Sequence, residues 1–594
     1  MTYVPPLRDI RFALEEVVGI DALKAEGGFE ELTSDTLAAV LDEAGRLAAD
    51  VLAPLNASGD KEGAHLENGV VRTAAGFKEA YSRFVEGGWQ GLAAPEEHGG
   101  AGLPRTLAAA VMEMVQSANS AFGLGPMLTH GAIEALVQHG SAEQQTLYLP
   151  KLVSGEWSGA MNLTEPHAGS DVGLLRTKAW KAEDGSYRIQ GQKIWITWGE
   201  HDCAENIVHL VLARLDGAPE GVKGISLFLA PKVLVEGDGS LGARNDLQCV
   251  GLEHKMGIHA SPTCVMSYGD DGGATASLIG EEHAGMRAMF TMMNAARVLV
   301  GVQGVGIAER AFQRALAFAR ERRQGRVPCG EHPGRIIEHP DVRRMLMTMK
   351  AKIEAARALC YATALAADAA DAFESDADAA AAKAREDLLT PIAKSWSTDL
   401  GIEASSLGVQ VHGGTGYVEE SGAPQHYRDA RIAAIYEGTN GIQAIDLVGR
   451  KLVRDGGVAM EALLDEMRET AEALCLSSNP ELHPAGARLM EGIATLERAS
   501  AWIVDQNTDD SDRLAGATAF QTLAGDVIGG HFLGLGALAG QRMLKETGED
   551  AYAQSKIDLA RFYGDAVLST VPGRLDAVTL GADALFAVGS DLLG

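Results

Sequence analysis

The hydrophobic pattern of this chain changes period twice, and those changes limit the fold more than any single residue does. Up to about residue 157 apolar residues recur three and four apart, as on one face of a helix. Leu37, Val40, Leu41, Ala44, Leu47, Ala48 and Val51 form one such stripe. From about Ser158 the period drops to two, in short runs bounded by Gly, Asp or Pro; 188–197, 206–213, 224–230 and 263–268 read as strands. At about residue 284 the helical period returns, and 285–323, 341–370 and 388–411 each read as a long helix. The Ala- and Asp-rich stretch 371–378 reads as an exposed connection. Helix and strand have different side-chain periods, so one stretch cannot serve both. The chain therefore divides into an N-terminal extension (1–34), a helical domain (35–157), a β domain of barrel or sandwich form (158–283), a four-helix bundle (284–454) and an appended helical domain (455–594). The first helical domain reads as all-helical, broken at Pro54 and across the Gly-rich segment 59–69. The fold class is α+β, with helices and strands segregated.

Charge excludes some functions. The chain has 51 basic and 81 acidic residues, a formal net charge of −30, and so repels nucleic acid and anionic membranes as a whole. No apolar run reads as long enough to span a bilayer, and the N-terminus lacks a basic segment followed by an apolar one, so a cytoplasmic location is expected. None of the six cysteines forms a CxxC pair, and no metal site is expected. No GxGxxG follows a strand and no GxxxxGK[ST] is present, which argues against a Rossmann site or a P-loop. A nucleotide cofactor, if bound, is held by another architecture.

Five short stretches carry reactive or ligand-facing residue types at turns. Glu437 lies between Tyr436 and Gly438, just ahead of a helix for which Asn440 and Gln443 read as the start signal, with Ile442, Ile445, Val448 and Leu452 as its stripe. Such a carboxylate can point into a pocket while the glycine lets a ligand approach the backbone. Residues 161–171 run extended into a turn carrying Thr164 and Ser170. Lys193 to Thr197 alternate, placing Trp195 beside Thr197 on one strand face. Arg320, Arg322, Arg323 and Arg326 end a long helix, a cation cluster that suits its negative pole or a pyrophosphate. Gly413, Gly414 and Gly416 are more glycines than a helix cap needs.

Taken in order, Leu163-Thr164-Glu165-Pro166 with Ala168-Gly169-Ser170-Asp171, Trp195-Ile196-Thr197, Gln410 with Gly413-Gly414-Thr415-Gly416-Tyr417, and Tyr436-Glu437-Gly438-Thr439 resemble the acyl-CoA dehydrogenase family over about residues 35–452. Residues 84–89, 196–201 and 256–261 resemble its long bacterial branch, which has a helical C-terminal extension and includes enzymes of methylthiopropanoyl-CoA. The resemblance implies noncovalent FAD and α,β-dehydrogenation of an acyl-CoA to the trans-2-enoyl-CoA, with Glu437 as the base. It implies that Leu163, Thr164, Trp195 and Thr197 line the isoalloxazine, with Thr439 and Gly441 beside it. Ser170 falls near the flavin phosphates and the substrate's pantetheine. Arg322, Gln324, Gln410, Gly413 and Gly414 are implied to hold the pyrophosphate and adenosine of a neighbouring subunit's cofactor. Met293, Asn294, Arg297, Tyr436 and Gly438 are implied on the substrate side. The chain departs from the family pattern at Asn294, often an acid, and at Gly325, usually aromatic. Ala296 stands where some members carry the base on the long helix, which leaves Glu437 as the candidate. The implied partners are an acyl-CoA, an electron-transfer flavoprotein and a second copy of the chain. A short acyl group is expected, 3-(methylthio)propanoyl first. The alternatives are a straight-chain fatty acyl-CoA dehydrogenase and an acyl-CoA oxidase. A DNA-associated flavoprotein of this fold needs a basic C-terminal domain, and residues 455–594 carry more acids than bases.

Overall fold

A computed structural model describes residues 3–25, 29, 32–328 and 332–593; the N-terminal extension's residues 1–2, 26–28 and 30–31 lie outside the described residues. The first domain begins with α1 (Ser34–Arg46), whose N-terminus is capped by the Thr33 hydroxyl accepting from the Thr36 N–H. The helix does not break at Pro54 as expected. It widens into a π-helical turn (Leu47–Leu52) and continues over Ala53–Glu62, with Pro54 in the new first turn, where a missing N–H costs no hydrogen bond. The all-helical expectation is also corrected. A hairpin of β1 (His65–Glu67) and β2 (Val70–Arg72) turns at Asn68-Gly69, both left-handed, which is the pairing that a two-residue hairpin turn demands. Then come α2 (Phe77–Glu86), α3 (Arg105–Ala118), α4 (Ser120–His139) and α5 (Ala142–Ser154).

The β domain comprises β3 (Trp157–Asn162), β4 (Lys178–Lys181), β5 (Tyr187–Thr197), β6 (Asn206–Leu215), β7 (Ile225–Pro231), β8 (Leu247–Leu252), β9 (Thr263–Tyr268) and β10 (Ala274–Ile279), with a small separate pair at Val233–Val235 and Leu241–Arg244. Strand β5 pairs with β10, β10 with β7, β7 with β6, β6 with β4, and β4 again with β5. The pairing returns to its start, so the barrel is the form adopted. It closes over a core that includes Ile189, Val211 and Phe228.

The bundle is built on α6 (Gly285–Glu321), α7 (Pro340–Ala372) and α8 (Asp376–His412). The stretch expected as an exposed connection is largely exposed, but only 373–375 connect; 371–372 end α7 and 376–378 begin α8. Ser375 caps it by accepting from the Asp378 N–H, and Asp376 and Asp378 favour its positive end. Helices α6 and α8 run parallel and nearly touch at Gly304, where an added Cβ would lie 2.3 Å from the Ser397 carbonyl. After α9 (Ala423–Ala430) comes α10 (Asn440–Asp446), prolonged by a π-helical turn to Arg454. The appended domain contributes α11 (Val458–Cys475), α12 (His483–Val504), α13 (Asp510–Thr547) and α14 (Ala551–Ala566). Helices α6 and α13 are long and apolar enough to cross a bilayer, against the expectation that no run would be. In the fold most of each apolar window is buried in protein.

Candidate active site

The loop before α10 has an unusual backbone. Glu437 and Gly438 both take left-handed conformations, φ +56° and +78°. That is free for glycine, but for a glutamate it costs on the order of 1–3 kcal/mol, a strain typical of functional positions. Three contacts hold the turn. The Gln443 amide donates to the Glu437 carbonyl (2.9 Å), the Lys394 ammonium donates to the Gly438 carbonyl (2.9 Å), and the Tyr436 hydroxyl donates to Gln303 on α6. The cap of α10 is Thr439, whose hydroxyl accepts from the Ile442 N–H at 3.2 Å, and not Asn440 as expected. The buried face is Ala444, Leu447, Val448 and Leu452; Ile445 is exposed.

Glu437 is part-accessible but lies in a dense shell of protein. Burial pushes its pKa up to about 7, against the pull of Arg297 and Lys394. Arg297, on α6, donates to the Asn294 side chain (3.2 Å) and stands 3.8 Å from Asp446, while its buried Nε has no hydrogen-bond partner among the described residues. Burial lowers the Arg297 pKa and brings that of Lys394 down to about 7. Acting as a base, Glu437 would have to be deprotonated, and kcat/KM would then fall about tenfold per pH unit below an acid limb near 7. A pH–rate profile checks this, and a limb near the ordinary glutamate value would contradict it.

A second group of candidates lies at the end of β5. There Val265 alone faces both Ile194 and Trp195, because Cys264 pairs with Ile196 and Met266 with Lys193. This bulge, and not plain alternation, turns the Trp195 indole outward with φ +59° and 57% exposed. The Lys193 ammonium donates to the Leu163 carbonyl and to Glu165 (2.9 Å each), and the Ile194 N–H to the Thr164 carbonyl (3.0 Å). These bonds set Leu163 and Thr164 beside Trp195 and Thr197, with Ser170 exposed on the following turn. Glu165 is an anchor, also accepting from Arg176 and Thr177. One step further, the Trp198 indole donates to the Ala121 carbonyl (3.3 Å) at the start of α4, while the adjacent Ser120 hydroxyl accepts from Gln303, the partner of Tyr436. The barrel end, α4, α6 and the Glu437 loop therefore meet at one place.

Arg322, Gln324, Gln410, Gly413 and Gly414 are not at that place. Arg322 ends α6, Gln410 lies in the last turn of α8, and Phe318 stacks on His412 (4.5 Å) to hold the two helix ends together. By helix rise, Arg322 is roughly 37 Å along α6 from Arg297. All five residues of this cluster are accessible, and an added Cβ on Gly413 or Gly414 would meet nothing within 4 Å. Gly441 is likewise exposed. Of the methionines on α6, Met292 is core, packed on Gly131, while Met293 and Asn294 are part-accessible on the same stretch as Arg297. The sequence reading missed Lys394, Gln303 and Gln443. Lys394 does leave a signal, as a lone cation in the apolar run Leu388, Leu389, Ile392 and Ala393.

Family models match the chain in succession: the acyl-CoA dehydrogenase N-terminal domain at 34–156, its middle domain at 160–270 and its C-terminal domain at 283–452, followed by an acetyl-CoA dehydrogenase C-terminal-like domain at 463–588. A 3-methylmercaptopropionyl-CoA dehydrogenase of Ruegeria pomeroyi is 47% identical over 98% of this chain and 99% of its own length. The chain belongs to the acyl-CoA dehydrogenase family. A butyryl-CoA dehydrogenase of Syntrophomonas wolfei is 34% identical over 96% of this chain and 95% of its own. The fold matches a Bacillus anthracis acyl-CoA dehydrogenase solved with FAD, at TM-score 0.75 and 23% identity over 96% of this chain and 93% of that one. Members of the acyl-CoA dehydrogenase family are flavoprotein oxidoreductases that act on the CH–CH bond of an acyl-CoA.

Proposed function

We propose that this acyl-CoA dehydrogenase converts a short acyl-CoA to the trans-2-enoyl-CoA, with the Glu437 carboxylate taking the α-proton. The observation that carries this reading is the strained Glu437, part-accessible within a dense shell of protein and lifted toward neutral pKa at the meeting point of barrel and bundle. FAD, when bound, supplies the hydride acceptor. The residues fit such a group. The outward Trp195 offers a flat apolar plate beside the Thr197 hydroxyl, and the bare Gly413-Gly414 backbone near Arg322 suits a phosphate-bearing half. Arg322 lies roughly 37 Å along α6 from Arg297, and this separation supports a homodimer in which Arg322, Gln324, Gln410 and Gly413-Gly414 would reach the partner's FAD. Tyr436, tied to Gln303, limits water at the carboxylate, and the Glu437 N–H donates to the enolising thioester oxygen. Electrons leave to an electron-transfer flavoprotein.

The substrate reading rests on the printed activity of the 47%-identical relative, 3-(methylthio)propanoyl-CoA being the first compound to assay. Met293 beside Arg297 tolerates a thioether as readily as a methylene. Specificity constants over a panel of acyl-CoAs, with an artificial electron acceptor, test it. One methylene discriminates by only about 1–3 kcal/mol, so activity should decline gradually with chain length. A palmitoyl-CoA value above all acyl groups of six carbons or fewer contradicts the short-chain reading, and rapid peroxide formation favours an oxidase. Arg322→Ala should weaken FAD binding without changing the pH profile of the protein that retains cofactor; undiminished FAD affinity contradicts the shared site.

A further inference from the structure

We propose that Lys394 is the positioning residue of the Glu437 loop, and that the appended domain holds it in register by gripping the same turn of α8 from behind. This deepens the reading of Glu437 as the base and rests on it. Lys394 is fully buried. Its ammonium donates to the Gly438 carbonyl and to the Asn440 side-chain oxygen, each at 2.9 Å, and, among the described residues, to no carboxylate. An ammonium buried on neutral acceptors is costly, and an apolar side chain would fill that space more cheaply. What it supplies in return is the fixing of two atoms of a strained loop, and positive potential beneath Glu437.

The bonding continues through α8. Asn440 donates to Asp399 (2.7 Å) and to the Ser395 carbonyl (3.2 Å). Asp399 opens on a small cleft shared with the appended domain, lined also by Lys352, Glu403, Asp526 and Arg574. On that side Gln521 of α13 donates to the Pro391 carbonyl (2.9 Å) and the Ser395 hydroxyl (2.8 Å), and Trp396 donates to Asp526 (3.0 Å). Gly525 lets α13 come this close, since a Cβ there would lie 2.3 Å from Trp396. The turn 391–399 is thus held by the appended domain on one side and holds the loop on the other.

The groups that face Glu437 are Arg297 from α6, Lys394 from α8 and Tyr436 from its own loop. Asp446 and Arg450, on α10 and its continuation, act on Arg297. Asp399 acts on Lys394 and is itself faced by Arg431 and Glu403. Without Lys394 only Arg297 favours the ionised carboxylate, so the carboxylate should gain its proton at higher pH.

Lys394→Met in the FAD-loaded protein is expected to move the acid limb of kcat upward by about one pH unit, to lower kcat at pH 7 about fivefold, and to leave KM within about twofold. Lys394→Arg, which keeps the cation, should return the limb most of the way. Difference infrared titration of the substrate-free protein, with Glu437→Gln as the blank, should show the carboxyl band shifted in the same direction. An unchanged limb and an unchanged band in folded Lys394→Met overturn the proposal. If that variant does not fold, Asn440→Ala decides: a smaller upward shift supports the proposal and an unmoved limb overturns it. Wild-type protein inert to every acyl-CoA would instead remove the reading of Glu437 as the base, while the infrared titration would still read the effect of Lys394.

Discussion

Glu437→Gln should lower the rate of flavin reduction by acyl-CoA at least roughly 10²–10⁴-fold, the usual contribution of a general base, while FAD stays bound. The geometry makes this a clean substitution. The turn is held through the carbonyls of Glu437 and Gly438 and through the Tyr436 hydroxyl, none of which belongs to the glutamate side chain. Glutamine keeps the size and loses the proton acceptor. The other possible base position, on α6, is Ala296, which cannot accept a proton. Stopped-flow absorbance of the anaerobic variant gives the rate, and the visible spectrum gives the FAD content. Near wild-type reduction would place the base elsewhere. Loss of FAD would show that the side chain also supports the cofactor pocket.

Arg357→Met should be the most destabilising single change in the bundle. Arg357 on α7 is 1% exposed. It donates to both oxygens of Glu113 on α3 (2.9 and 3.0 Å from Nε) and to Glu309 on α6 (3.1 Å), and the Tyr361 hydroxyl donates to Glu113 at 2.6 Å. The first helical domain and the bundle are joined at this point. Methionine leaves two carboxylates buried with no cation between them, and breaking a buried ion pair in this way costs about 3–5 kcal/mol. Thermal inactivation at a fixed scan rate, compared with wild type, measures the loss. A midpoint unchanged within a degree or two would mean that water or another cation takes the place of Arg357.

The parts of this fold that could be read from the sequence are those that a local pattern controls. Helices α6 to α8 carry apolar positions at helical spacing over many turns, and their ends fall within a few residues of the expected ones, save the early start of α8 at Asp376. Helix α4 is nearly all buried and shows no polar face, so it carries little helical period to read. The hairpin at Asn68-Gly69 did carry a local signal, hidden in a Gly-rich stretch. At the site, Glu437 stands out through the company of the other four stretches, since a glutamate on a glycine turn is by itself an ordinary solvated loop residue. Its cap was placed one residue late because threonine and asparagine are both good caps. What decides between them is distant: Asn440 is engaged by Lys394, Thr398 and Asp399. Lys394 shows in the sequence only as a lone cation in an apolar run, and its role does not, since its partners are some forty residues away in the chain.

The central claim is most directly tested by mixing the purified, FAD-loaded protein with one equivalent of 3-(methylthio)propanoyl-CoA without oxygen, above pH 7. The account predicts loss of the flavin's visible absorbance with matching formation of the enoyl thioester, slowed when the α-hydrogens are deuterium. Flavin that stays oxidised with this compound and with every straight-chain acyl-CoA from three to sixteen carbons would contradict it.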